Sequence, residues 1–220
     1  MKRNGKRNLL LGIMCMVAFV IWTALLQIID VQAVGQGGTE IGFAMFNSWF
    51  HNLTGVHMQI YVITDWMGLV PVFVCMIFGG IGFVQLVRRK SIFKVDYDIL
   101  ILGIYYIVVI ACYLIFEIFP INYRPILIEG IMEASYPSST TLLVLSVMPT
   151  LIEQVNRRMK KILLKKGVII SAGIFSMFMV VGRLISGVHW FTDIVGGILL
   201  SAGLFFIYKG MILFCYKEEK

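Results

Sequence analysis

Residues that bind metals or form disulfides are scarce in this chain of 220 residues, which has three histidines and four cysteines. The cysteines are Cys15, Cys75, Cys112 and Cys215, and all lie within or at the end of apolar runs. Neither the cysteines nor the histidines have the spacing of metal ligands. The cysteines are therefore expected to be packing residues, and the sequence predicts no metal and no cofactor.

Linkers, low-complexity segments and internal repeats are also missing, which predicts a single domain over residues 1–220. The lack of duplicated halves weighs against a transporter. A transporter or channel would also need polar residues deep in several spans, and most apolar runs here are uniform.

Apolar residues, by contrast, are abundant: 59% of the chain is hydrophobic and the mean hydropathy is +0.89. A soluble domain of this size cannot bury that much apolar surface. Six runs, most of them about 20 residues long and so able to cross a bilayer as helices, are Leu9–Ile29, Met67–Val87, Ile99–Phe119, Ser138–Val155, Val168–Ile185 and Phe191–Phe214. The sequence predicts an all-α integral membrane protein with six transmembrane helices.

The 19 Lys and Arg residues predict the orientation, because 17 of them fall at the same ends of the six spans. They form four groups: Lys2, Arg3, Lys6 and Arg7; Arg88, Arg89, Lys90 and Lys94; Arg157, Arg158, Lys160, Lys161, Lys165 and Lys166; Lys209, Lys217 and Lys220. Basic residues normally stay on the cytoplasmic side, so both termini are expected there. The net charge of +7 then indicates contact with anionic membrane lipids and not a nucleic-acid partner.

A signal peptide cleaved after Val31-Gln32-Ala33 is the alternative to a transmembrane helix for the first apolar run.

The other two basic residues, Arg124 and Arg183, fall on the opposite side of the membrane. An anionic group held between two guanidiniums would explain why they are there. On the same side, the apolar stretch Ile41–Leu53 predicts a short interfacial helix. Trp49, Trp66 and Trp190 are expected to form an aromatic belt at that boundary.

A cluster of polar residues surrounds Arg183. His189 follows it by six residues, and Asp193 follows His189 by four. If the last span begins there, one helical turn brings both side chains to the same face. The carboxylate can then orient the imidazole and stabilise its positive form, while Gly187 permits a tight turn.

A second cluster opens the fourth predicted span with Tyr136-Pro137-Ser138-Ser139-Thr140. Proline suits the first helical turn. The free N–H groups and hydroxyls at a helix start can bind an anion.

These residues resemble the type-2 phosphatidic acid phosphatases, whose fold is shared with vanadium haloperoxidases. The resemblance covers a motif core of residues 117–197, and its third motif matches at Arg183, His189 and Asp193 with Gly182 in place of a serine. It implies a helical-bundle lipid phosphatase fold. It further implies that His189 attacks phosphorus and becomes phosphohistidine, that Asp193 orients it, and that Arg183 contacts phosphate.

The first two motifs match only in part. Arg124-Pro125 fit the first, but Glu117 stands where the family has lysine. Pro137 and Ser138 fit the second, while Ser139 replaces glycine and Thr140 replaces histidine. The resemblance implies phosphate contacts from Arg124, Ser138 and Ser139.

The replacement of histidine by Thr140 removes the group expected to protonate the leaving oxygen, which typically costs about 10²–10⁴ in rate. A phosphate leaving group needs that proton less than an alkoxide does, so we expect a preference for lipid diphosphates. Glu129, Glu133, His51 and His57 are the other candidates for the proton source, although the two glutamates also suit a role as loop charges or partners of Arg124.

The resemblance and the residues together predict a multi-pass lipid phosphatase of a bacterial plasma membrane, with its active site facing outward. Its expected substrate is a phosphorylated lipid: phosphatidic acid, phosphatidylglycerol phosphate or a polyprenyl diphosphate. The alternative, motivated by Thr140 and Glu117, is a relative that binds phosphorylated lipids and turns them over poorly. The sequence does not indicate an oligomeric state.

Overall fold

A computed structural model describes residues 2–215, in which the chain forms eight α-helices and no β-strand. The helices are α1 (Lys2–Leu26), α2 (Ala44–Thr54), α3 (Met58–Met67), α4 (Leu69–Arg89), α5 (Tyr97–Ile118), α6 (Ser139–Arg158), α7 (Ile162–Ile185) and α8 (Phe191–Cys215). The predicted all-α class is confirmed. Lys217 and Lys220, from the last predicted basic group, lie outside the described residues.

Five helical segments within residues 2–215 are long and apolar enough to cross a membrane: Arg3–Leu26, Met58–Arg89, Tyr97–Ile118, Ile162–Ile185 and Phe191–Cys215. The second of them contains both α3 and α4. The fourth predicted span forms α6, which is not among the five. The count of six spans and the side of the termini stay predictions.

Helix α6 packs against four other long helices, α4, α5, α7 and α8. Several polar side chains of α6 are buried, and they form hydrogen bonds to neighbouring helices. Tyr106 Oη lies 2.8 Å from Thr150 Oγ1, and Gln154 Nε2 donates to Tyr208 Oη at 3.3 Å. Helices that face protein within a membrane can use small and polar residues in this way, which explains why α6 is the least apolar of the long helices.

Helix α1 packs along α8. A Cβ added at Gly12 would lie 2.7 Å from Ile207 Cγ1, so the two backbones approach more closely than a larger residue would allow. At the far end of the bundle, Arg158 of α6 pairs with Asp98 Oδ2 at 2.7 Å and with Asp96 Oδ2 at 3.3 Å. These contacts tie the α4–α5 connection to α6, at the end opposite His189.

The predicted short helix is confirmed as α2, which exposes Met45, Trp49 and Leu53 and buries Asn47 on its other side. Trp66 is exposed as well. The prediction for Trp190 is wrong, because this side chain is only 4% exposed and its Nε1 donates to the carbonyl of Tyr123 at 2.8 Å.

Candidate active site

The turn between α7 and α8 carries His189 and is held against the preceding part of the chain. Gly187 has φ +72, and an added Cβ would lie 2.1 Å from the carbonyl oxygen of Gly55. The carbonyl of Gly187 also lies 3.1 Å from Nε2 of His51. Only glycine permits both this backbone conformation and this contact. The close packing against Gly55 therefore fixes the position of the turn.

His189 and Asp193 are both buried, and Nδ1 of the imidazole lies 3.7 Å from Oδ2 of the carboxylate. Helix α8 begins at Phe191, so His189 precedes the helix and does not share a helical turn with Asp193, contrary to the prediction. Asp193 Oδ2 accepts the backbone N–H of Trp190 at 2.9 Å, as in a capping box. Its Oδ1 accepts from Asn122 Nδ2 at 3.1 Å.

The environment of His189 favours a neutral imidazole. Burial lowers its pKa well below the usual value, and the nearby guanidiniums of Arg124 and Arg183 lower it further. At neutral pH the ring therefore has an unprotonated nitrogen that can act as a nucleophile.

Arg124 is positioned by a small hairpin within residues 120–137. The tip residues Glu129 and Gly130 both have positive φ, at 50 and 79, as a type I′ turn requires. The backbone N–H of Arg124 donates to the carbonyl of Glu133 at 3.1 Å, and its Nε lies 2.9 Å from Glu133 Oε2. Glu133 is thus a partner of Arg124, one of the two roles that the sequence left open.

The two arginines converge on one aromatic ring. The Cζ of Arg183 lies 4.9 Å from the ring centroid of Tyr61, and the Cζ of Arg124 lies 5.7 Å from it. Arg183 is almost fully buried, and its Nη2 lies 3.3 Å from Asp65 Oδ1. The face of an aromatic ring attracts cations, so Tyr61 offsets part of the repulsion between the two guanidiniums.

Several buried polar atoms at this place have no hydrogen-bond partner within residues 2–215. They include Nη1 of Arg124, Nε of Arg183, both imidazole nitrogens of His189, and the hydroxyls of Ser135 and Ser138. Buried polar groups are normally paired. A cluster of donors without partners beside two guanidiniums suits an oxyanion such as phosphate.

The second motif lies where α6 begins. Ser138 is the N-cap residue, and Pro137 precedes the helix, outside the first turn in which the sequence placed it. The backbone N–H of Ser138 donates to the carbonyl of Asp193 at 3.0 Å, which joins this motif to α8. Ser139 and Thr140 border a cavity of about 310 Å³ between α4, α5 and α6.

That cavity has one polar end and an otherwise apolar wall. The polar end contains Asp65, Ser139 and Thr140. The wall is lined mainly by Leu69, Val109, Ile110, Leu142 and Leu143. A ligand with a polar head and an apolar tail would match both parts of the cavity.

The structure brings Arg124, Arg183, His189, Asp193 and Ser138 together, with Ser139 and Thr140 at the adjoining cavity. Glu117 is exposed at the end of α5, and Arg124 pairs with Glu133 instead. No group of three or more metal-ligating side chains exists among the described residues.

Three residues at the site were not predicted from the sequence: Tyr61 and Asp65 of α3, and Asn122 of the hairpin. Asp65 carried a usable signal, since an acidic residue inside an apolar run marks a functional candidate. Asn122 adjoins the first motif, but its bond to Asp193 depends on the hairpin.

The sequence profile of the PAP2 superfamily matches residues 89–216, which include all three motifs. The chain belongs to the PAP2 superfamily. Members of this family are phosphatases, so the resemblance noted in the sequence is confirmed, and phosphatase activity is supported. No curated protein matches the sequence.

The PAP2 fold extends over nearly the whole chain. A solved structure, described as the first transmembrane PAP2 type phosphatidylglycerolphosphate phosphatase from Bacillus subtilis, matches with a TM-score of 0.67. The match covers 95% of this chain and 99% of that one at 18% sequence identity. Together with the apolar helices, this likeness identifies a multi-pass membrane protein.

Proposed function

We propose that this chain is a lipid phosphatase that hydrolyses a lipid phosphate or diphosphate through a phosphohistidine at His189. One observation carries the proposal: Arg124 and Arg183 share the ring of Tyr61 near the imidazole of His189, whose pKa is lowered by burial and by both guanidiniums. Two guanidiniums can hold the oxygens of a phosphoryl group. A neutral imidazole beside them can attack its phosphorus.

The reaction then has two steps. In the first, His189 forms a bond to phosphorus, and the bond from phosphorus to the lipid oxygen breaks. Asp193, fixed by Trp190 and Asn122, stabilises the positive charge that develops on the imidazole. In the second step, water displaces His189 from phosphorus and inorganic phosphate leaves.

The cavity beside Thr140 supports a lipid substrate, because its polar end adjoins Arg183 through Asp65 and its wall is apolar. The location of the site supports catalysis at the outer face. His189 lies between the end of α7 and the start of α8, whereas the basic groups lie at the opposite helix ends, which are expected in the cytoplasm.

We expect lipid diphosphates to be better substrates than monophosphates. The hydroxyl of Thr140 is too weak an acid to protonate a leaving oxygen at neutral pH, and an alkoxide leaves poorly without that proton. A phosphate leaving group, with a second pKa near 6, departs unaided.

The decisive experiment measures phosphate release by the purified protein from matched lipid mono- and diphosphates. We expect turnover to vanish in His189→Ala and to persist in His57→Ala, whose ring faces the carbonyl of Thr54. An acid-labile phosphoenzyme should form in the second variant and not in the first. Phosphate release that persists unchanged in His189→Ala would refute the proposal.

A second candidate function is binding of phosphorylated lipids with little or no turnover. It is favoured by Thr140 and by Glu117, which replaces a basic residue of the family pattern. Saturable binding of a lipid diphosphate without phosphate release, abolished in Arg183→Ala, would support it.

A further inference from the structure

A carboxylate outside the three motifs lies beside the position where Thr140 replaces the family's histidine. Asp65, on the last turn of α3, borders the same cavity as Ser139 and Thr140. Its side chain is 57% exposed, and its Oδ1 lies 3.3 Å from Nη2 of Arg183. Asp65 therefore pairs with Arg183 and is itself part of the polar end of the cavity.

The position of Asp65 is fixed by the packing of α3 against α7. Thr64 is fully buried, and its Oγ1 lies 3.5 Å from Nη1 of Arg183. A Cβ added at Gly182 would lie 2.7 Å from Cγ2 of Thr64, so the two helices are in close contact. This contact holds the side chain of Asp65 next to the guanidinium.

The other side chains considered as proton donors or acceptors are paired with other groups or do not line this cavity. Glu133 pairs with Arg124 at 2.9 Å, and Glu117 is exposed at the end of α5. Nε2 of His51 faces the carbonyl of Gly187, and Nε2 of His57 faces that of Thr54. Within residues 2–215, Asp65 and Tyr113 are the titratable side chains that line the cavity with Thr140, and Asp65 is the one in an ion pair with Arg183.

We propose that Asp65 is the general base for hydrolysis of the phosphohistidine, an inference that rests on the proposed function. As the anion of an ion pair, a carboxylate can accept a proton but has none to donate. That suits the second chemical step, in which water must lose a proton. It also suits a lipid diphosphate in the first step, since its leaving group needs no acid.

The step balances without a further reactant. The oxygen of water forms a bond to phosphorus, and a proton of that water passes to the Asp65 carboxylate. The bond from phosphorus to the imidazole nitrogen breaks, and its electron pair returns to His189. Inorganic phosphate leaves, and Asp65 returns its proton to solvent through its exposed side.

The test is Asp65→Asn in the full chain, assayed with a lipid diphosphate labelled in its terminal phosphate. We expect kcat to fall by about 10²–10⁴-fold, the usual contribution of a general base. Phosphoenzyme formation in a single turnover should stay within a few-fold of wild type, so phosphoenzyme accumulates. Asp65→Glu should restore part of kcat. In Glu133→Gln, which alters the carboxylate on the other arginine, any loss should fall on phosphoenzyme formation, with no accumulation.

Equal slowing of phosphoenzyme formation and breakdown in Asp65→Asn would overturn the inference, because Asp65 would then only position Arg183. A rise in KM with kcat unchanged would overturn it too. If Asp65→Asn does not fold, Asp65→Ser, which also lacks the carboxylate, is assayed in the same way, and wild-type rates of both steps in it would count against a base at this position. Failure to detect phosphoenzyme in the wild type would instead refute the proposed function, and this inference with it.

Discussion

The Oδ2 of Asp193 lies 3.7 Å from the Nδ1 of His189, and the same oxygen accepts the backbone N–H of Trp190 at 2.9 Å. The carboxylate is therefore fixed by the start of α8 and is close to the imidazole without being hydrogen-bonded to it. Catalytic hydrogen bonds are often long before the substrate is bound. We expect this distance to shorten when His189 becomes positively charged on attacking phosphorus.

The first prediction concerns the charge of Asp193. Asp193→Asn keeps the size of the side chain and removes the charge that stabilises the imidazolium form of His189. We expect kcat to fall about 10²–10⁴-fold, measured as phosphate release from a lipid diphosphate. Glu129→Gln, at the tip of the hairpin, is the matched control and should leave kcat unchanged. Wild-type kcat in Asp193→Asn would show that the carboxylate has no catalytic role.

The second prediction concerns Thr140. Thr140→His places an imidazole at the polar end of the 310 Å³ cavity, where it can protonate an alkoxide leaving group. We expect monophosphate turnover to rise at least about tenfold, below the full contribution of a general acid, and diphosphate turnover to change much less. Thr140→Gln supplies similar bulk without an acid and should give no rise. Equal gains in the two variants would point to an effect of size alone.

A third prediction compares two glycines with similar backbone conformations. Gly187 and Gly130 have φ +72 and +79, so alanine at either site costs about 1–2 kcal/mol in conformational strain. Only at Gly187 does the new Cβ collide with the chain, at the carbonyl oxygen of Gly55. We expect Gly187→Ala to lower kcat about 10²-fold by displacing His189, and Gly130→Ala to leave kcat near wild type. The comparison requires kcat and the thermal unfolding midpoint of both variants.

The fourth prediction follows from the lowered pKa of His189. As the pH falls below the ordinary value of about 6.5, the unfolded chain takes up a proton at this residue while the folded chain does not. Folding then loses stability, by up to about 1.4 kcal/mol per pH unit, until the folded pKa is reached. Thermal unfolding in detergent between pH 5 and 7.5 should show a shallower pH dependence in His189→Gln than in wild type.

His57→Gln, which removes an exposed histidine whose ring faces the carbonyl of Thr54, is the control for that measurement. It should leave the slope of stability against pH unchanged. A wild-type slope in His189→Gln would mean that the imidazole titrates normally in the folded protein.

Much of the helical architecture was predictable because long apolar runs have few stable states in a bilayer. Five of the six predicted runs largely overlap the helical segments able to span a membrane, and the short helix α2 was also foreseen from its apolar stretch. Helix α6 was predicted as a span. The burial of its polar residues Thr150 and Gln154 is explained only by the helices that pack around it.

The site was predictable where its residues are close in sequence. Arg183, His189 and Asp193 lie within eleven residues, and their spacing matches a family motif. Trp190 was misplaced because hydropathy and residue type suggest a membrane boundary, whereas the hairpin supplies a backbone acceptor that draws the indole inward.

The sequence by itself determined that this chain is an all-helical membrane protein with a phosphatase motif, because hydropathy and short-range spacing are properties of the chain alone. Only the tertiary structure decided that Tyr61 lies under both guanidiniums, and that Asp65 pairs with Arg183 and lines the same cavity as Thr140. Those contacts join residues far apart in sequence. They depend on how α3 packs against α7, and no local pattern specifies the relative placement of two distant helices.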